Sequence, residues 1–120
     1  MKANELMIGD WVFNKFLNKN IKITPYDFFS KYPKVIEGND LEPIPLTEEI
    51  IEKNGFEYDD TNIGWRLGTH DFMIELGHIP FEEDEDYLFV WVADKRARLD
   101  YVHELQHALR LCGIEKETQL

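Results

Sequence analysis

One stretch of this chain has residue types and a spacing that spell out a reaction. His103-Glu104-Leu105-Gln106-His107 satisfies H-E-x-x-H, the pattern of zinc hydrolases. On a helix, His103 and His107 lie one turn apart on the same face and can share a zinc ion. Glu104 is then the general base that takes a proton from the metal-bound water. Such a centre needs a third protein ligand. Thirteen residues follow His107 and none is histidine, so the long downstream spacing used by many zinc proteases is not met in this sequence. The remaining candidates are Glu115 and Glu117 just beyond the helix, or His70, His78 and the acidic stretch 82–86 carried over by the fold.

The neighbours of the motif argue for a plainer role. Zincins usually carry a small or β-branched residue three positions before the first histidine, and Asp100 stands there. On a helical wheel Val102, Leu105, Leu109 and Cys112 form an apolar stripe, with Tyr101 and Ala108 at its edge. His103 and His107 fall nearly opposite. They share that side with Asp100, Arg110 and, if the helix begins early, Arg96; a cation there opposes zinc binding. The alternative is a solvated amphipathic helix whose histidines interact with Asp100 and Arg110 and whose Glu104 makes an ordinary surface pair. Cys112, on the stripe, is expected to be a buried thiol.

No other segment carries a complete set of chemistry. The run Glu82-Glu83-Asp84-Glu85-Asp86 lacks the alternating oxygen ligands and the glycine of a calcium-binding loop. A nucleophile elbow, a phosphate-binding glycine loop and a dinucleotide fingerprint are all missing.

Composition bounds the remaining options. The 120 residues are enough for one domain, 1–120, with a core of its own. With 43% hydrophobic and 13% aromatic residues, the chain is too apolar to be disordered. A formal net charge of -11 argues against general nucleic-acid binding, which needs a basic footprint. It suits a soluble protein, a basic partner or a decoy for nucleic acid; a decoy needs carboxylates at phosphate-like spacing over one face. Cys112 is the only cysteine, which excludes an internal disulfide and a multi-cysteine zinc site. No apolar run approaches a membrane span, and the first residues lack the apolar core of a signal peptide, so a cytoplasmic setting without membrane contact is expected.

The elements that would position the motif follow from local pattern. Leu6 to Phe13 reads as a strand kinked at Gly9, Asn14 to Asn20 as a turn, and Ile21 with Ile23 as the returning strand. Thr24-Pro25-Tyr26-Asp27 has the signature of a helix start, with a stop before Pro33. Residues 34–45 read as a loop. Thr47 caps a second helix that Asn54-Gly55 ends. Strands follow at Phe56–Tyr58, Ile63–Leu67, Phe72–Leu76 and Tyr87–Ala93, the last the most apolar run and the expected central strand. A final helix starts near Asp94 or Asp100 and ends at Gly113. The predicted architecture is α+β: an N-terminal β-hairpin and short helices, an antiparallel β-meander, and a C-terminal amphipathic helix packed on the sheet.

Three segments, taken in order, resemble a known family. They are Met1-Lys2-Ala3-Asn4-Glu5-Leu6-Met7-Ile8-Gly9-Asp10-Trp11-Val12, then Glu42-Pro43-Ile44-Pro45-Leu46-Thr47 leading to Lys53-Asn54-Gly55-Phe56, then Tyr101-Val102-His103-Glu104-Leu105-Gln106. This order is similar to that of small uncharacterised Bacteroidetes proteins often encoded in prophages and mobile elements, a family without an assigned activity. Its members often read V-H-Q-L-Q-N at the third segment, with counterparts of His103 and Gln106 but not of Glu104 and His107. The resemblance therefore implies a helix whose shared feature is not zinc catalysis, and suggests Tyr101, His103 and Gln106 as a structural or contact set. The function expected is non-enzymatic, through an unknown protein partner or self-association. The alternative is a zinc hydrolase using His103, Glu104 and His107.

Overall fold

The computed structural model describes residues 6–24, 41–61, 63–68, 72–78, 86–92 and 94–120. The helix expected after Thr24, most of the loop expected at 34–45, His70 and residues 82–85 of the acidic run lie outside them. The chain divides into two compact units, Met1–Pro45 with Tyr101–His103, and Leu46–Asp100 with Glu104–Leu120.

The first unit holds β1 (Trp11–Asn14), β2 (Lys19–Lys22) and β3 (Leu41–Pro43) in an antiparallel sheet of order β2-β1-β3. The expected hairpin is β1–β2, with Val12 opposite Ile21. Its turn is fastened by Asn14, whose Oδ1 accepts from the Leu17 N–H at 3.1 Å. Gly9 takes a φ of 91° and donates to the Ile23 carbonyl at 2.7 Å, so the glycine bends the chain just ahead of the strand. Asp10 is fully buried, and its Oδ2 accepts from the Met7 N–H at 2.7 Å. Leu6, Val12, Ile23 and Leu41 form the core. β3 falls in what reads locally as a loop; it is a strand because Leu41, Glu42 and Pro43 pair with Asn14, Phe13 and Val12. Pro43 is tolerated there because β3 is an edge strand. Beyond it, Tyr101 bridges Pro45, and the Val102 N–H donates to Ile44 at 2.8 Å.

In the second unit, α1 (Glu48–Lys53) begins where Thr47 Oγ1 accepts from the Ile50 N–H at 3.3 Å. Glu48 and Glu49 occupy its first turn and Lys53 its last, the order the helix dipole favours. Asn54 caps the end, and its buried amide reaches across to residue 119. Nδ2 donates to the Ile50 and Gln119 carbonyls at 2.7 and 2.8 Å, and Oδ1 accepts from the Gln119 N–H at 2.6 Å.

Five antiparallel strands follow in sequence order: β4 (Phe56–Asp59), β5 (Gly64–Leu67), β6 (Met73–His78), β7 (Asp86–Val92) and β8 (Lys95–Leu99). This is the predicted meander with one strand more. Residues from Lys95 onward do not begin the last helix, as a start at Asp94 would require. Asp94 has a φ of 64° and sits in the tight turn joining β7 to β8, where Val92 pairs with Lys95. The last helix, α2 (Val102–Leu111), agrees with a start near Asp100.

α2 packs on the meander through Leu105, Ala108 and Leu109, against Trp65, Ile74 and Val90 of the central strands. It closes in a Schellman motif. Gly113, at φ 73°, donates to Arg110 at 3.0 Å, and Ile114 donates to Leu109 at 2.9 Å while packing on the same core. Trp65 is 2% exposed, and its indole Nε1 has no hydrogen-bond partner among the described residues. Its contribution is therefore volume and apolar area. Trp65→Phe is expected to cost about 1 kcal/mol, against about 3–5 kcal/mol for Trp65→Ala, in urea unfolding followed by circular dichroism. Equal losses for the two variants would show that the indole nitrogen matters.

Candidate functional site

α2 presents a broader buried face than its apolar residues alone suggest. Val102, His103, Leu105, Gln106, Ala108 and Leu109 are all buried, so the covered arc takes in two polar side chains. His103 is only 7% exposed and Gln106 6%. The wheel position of His103 opposite the core is thus corrected: the polar face is narrower, and His107, half-buried, lies nearer to it. The His103 ring stacks on Tyr101, with centroids 5.9 Å apart and planes 7° from parallel. Tyr101 and His103 are therefore in direct contact, and Gln106 lies buried one turn along the helix. Cys112 is exposed, contrary to the buried thiol expected: its N–H still bonds the Ala108 carbonyl at 3.1 Å, but it stands one residue past the end of the helix at Leu111.

Glu104 caps the start of α2. Its Oε1 accepts from the Asp100 N–H at 2.9 Å, while Asp100 Oδ1 takes the Arg98 Nε–H at 3.0 Å. The carboxylate thus ties the backbone just ahead of the first turn to the helix, one position further back than the glutamate of a capping box reaches. Replacing it with alanine should cost about 1 kcal/mol in thermal or urea unfolding. Glu104→Gln should cost less, because its amide oxygen still accepts; an equal loss in both variants would refute the capping role.

A zinc site needs at least three donors at one point. Among the described residues, no group of three or more histidines, cysteines or carboxylates is placed to hold a metal ion. Arg110 stays on α2, whereas Arg96 lies on β8. No catalytic step through zinc follows from this donor set.

A half-open cavity of about 420 Å³ lies at the end of α2, lined by Gln106, Leu109, Arg110, Ile114, Glu115 and Lys116. Cations and a carboxylate share its wall, which singles out no ligand chemistry.

The side of the meander turned away from α2 is more distinctive. Along β7 the side chains alternate. Leu88, Val90 and Val92 turn to the core, and Tyr87, Phe89 and Trp91 turn outward as a row of aromatic rings. On β8, Ala97 and Leu99 turn inward and Arg96 and Arg98 outward. Arg96 lies 4.4 Å from the centre of the Phe89 ring and 5.4 Å from that of Trp91, and donates to the Tyr87 hydroxyl at 2.9 Å. Arg98 lies 5.4 Å from the Tyr87 ring. The Tyr87 ring covers Gly77 on β6, where a Cβ would come within 2.4 Å of it. Trp91 remains 52% exposed. Sequence reading took this run as the central strand and did not separate its two faces; the signal for them is the period-two alternation of rings and aliphatics, repeated by Arg-Ala-Arg-Leu in β8.

Comparison with family models, with curated proteins and with solved structures finds no match. No helix among the described residues is long and apolar enough to cross a membrane.

Proposed function

We propose that this is a non-enzymatic, small acidic cytoplasmic protein, encoded by phage or mobile DNA, that acts through protein–protein contacts. The observation that carries the reading is the outer face of the meander, where the half-exposed Trp91 stands beside Phe89, Tyr87 and two arginines. Tryptophan, tyrosine and arginine are the residues enriched at the energetic centres of protein interfaces. The H-E-x-x-H stretch supports the same reading from the other side. Its glutamate is engaged in capping, its first histidine is stacked and buried, and the described residues supply no third ligand. The single cysteine fits a reducing compartment, and the resemblance to prophage-borne proteins supports the mobile-element origin. The test is hydrolysis of peptide and ester substrates by zinc-supplemented protein, wild type against Glu104→Gln. No turnover above the zinc blank is expected. Zinc-dependent hydrolysis that disappears in Glu104→Gln would overturn the reading in favour of the hydrolase.

A further inference from the structure

The outer face of the meander carries a distinctive charge pattern. Alternation along the strands places Glu57 and Asp59 of β4, Arg66 of β5, Glu75 of β6, and Arg96 and Arg98 of β8 on this side. Three carboxylates thus stand against three guanidiniums, with Asp100 beside Arg98 as a fourth carboxylate at 3.0 Å, so the face is close to neutral on a chain whose net charge is -11. The pattern is also segregated across the sheet. One continuous row runs Asp59, Gly64, Glu75, Phe89, Arg98, acidic at the β4 end, aromatic in the middle and cationic at the β8 end. Each end is partly offset, by the Asp59–Arg66 pair at 3.5 Å on the acidic side and the Arg98–Asp100 pair at 3.0 Å on the cationic side, which leaves the first net negative and the second net positive.

Two copies of a protein with this charge repel each other over most of their surface. A neutral face lifts that repulsion locally, and a face that is negative at one end and positive at the other is complementary to itself after a half-turn. We infer that the outer face of the five-stranded sheet docks a second copy of this chain in an isologous dimer, the β8 arginines of each copy opposite the β4–β6 carboxylates of the other, with Trp91 and its neighbouring rings near the two-fold axis. The inference rests on the reading above that this face is a contact surface, and it names the partner. Five strands at ~4.8 Å spacing, each contributing about five residues at ~3.3 Å, give a face on the order of 300–400 Å² in projection. Two such faces together fall below the roughly 1,200 Å² at which standard specific interfaces begin, so the dimer belongs with the weak, transient associations.

The test uses the whole chain and sedimentation equilibrium at roughly 5–500 µM protein in about 0.15 M salt. The wild-type mass is expected to rise with concentration towards that of a dimer. Two charge variants are compared, Arg96→Glu with Arg98→Glu in one chain, and Glu57→Lys with Glu75→Lys in another. Each alone brings like charges together and is expected to self-associate at least about tenfold more weakly. Mixed in equal amounts they are complementary, and the dimer mass should return. Trp91→Ser, which leaves every charge in place, should also weaken the dimer about tenfold and serves if either charge variant does not fold. A wild type that stays monomeric overturns the inference. So does a dimer that survives Trp91→Ser and both charge variants, or a mixture of folded charge variants that fails to associate. A monomeric wild type leaves the non-enzymatic reading standing, because that reading is decided by the Glu104→Gln assay.

Discussion

Replacing Asn54 with leucine should lower the unfolding free energy by about 2–4 kcal/mol, among the largest losses available to a single polar substitution here. The side chain is 3% exposed. Its amide makes three hydrogen bonds, to the Ile50 carbonyl and to both backbone groups of Gln119. Leucine fills similar space but removes all three bonds, unfastening the backbone of Gln119 next to the buried Thr118 and the last turn of α1 from each other. Asn54→Asp tests the direction of the bonds: it keeps the acceptor for the Gln119 N–H and turns the donor for two carbonyls into a second acceptor, so it should also destabilise. Lys53, whose exposed Nζ donates to the Leu120 carbonyl, provides the contrast. Lys53→Ala should change stability by less than about 0.5 kcal/mol. Urea unfolding of the three variants checks the set, and a small loss in Asn54→Leu would show that residues 114–120 contribute little to the second unit.

Gly64→Ala should cost about 3 kcal/mol, although it adds one carbon. A Cβ at Gly64 would stand 2.3 Å from the Ile74 carbonyl oxygen and 3.2 Å from the Glu75 Cα. Both belong to the backbone of β6, which the Trp65–Ile74 and Gly64–Glu75 pairs hold in register. The Met73 methyl, at 2.8 Å, can swing aside, but the ladder cannot. At Gly77 the three nearest atoms to an added Cβ all belong to the Tyr87 side chain, two ring carbons at 2.4 and 2.7 Å and the hydroxyl oxygen at 2.8 Å. A ring can tilt, so Gly77→Ala should cost about 1–2 kcal/mol. Denaturant midpoints for the two alanine variants give the order directly; an equal or reversed order would mean that β5 can move away from β6 at little cost.

The parts of the fold that sequence reading located are those fixed by neighbours along the chain. Thr47 caps α1 from three residues away, and Asn54-Gly55 ends it through local dihedrals. The turns after β1 and β4 are drawn by side chains that bond their own backbone, Asn14 to Leu17 and Asp59 to Thr61. What eluded it is set by pairing at a distance. Leu41-Glu42-Pro43 has no local strand signal and is ordered by β1. Lys95-Arg96-Ala97-Arg98-Leu99 is rich in good helix formers, yet its pairing with β7 and its cover over the aromatic row make it a strand.

The candidate site divides in the same way. The H-E-x-x-H spacing is visible in one line of sequence, but whether Glu104 faces a metal or caps its own helix depends on where the backbone of Asp100 lies. The wheel, drawn from apolar residues alone, gave the two histidines one environment. Tyr101 stacking on His103 separates them.

The Tyr87 ring sits over Gly77 and its hydroxyl accepts from Arg96, which in turn lies over Phe89. A long arginine and two rings are therefore already ordered before any second molecule arrives. Immobilising a rotamer-rich side chain at an interface ordinarily costs about 0.5–1.5 kcal/mol, and here that entropy is lost when the sheet folds rather than when it associates. Loosening the Tyr87–Gly77 contact would move that loss to the encounter instead, so a change hidden beneath the ring is expected to weaken the proposed association without altering one atom of the outer surface.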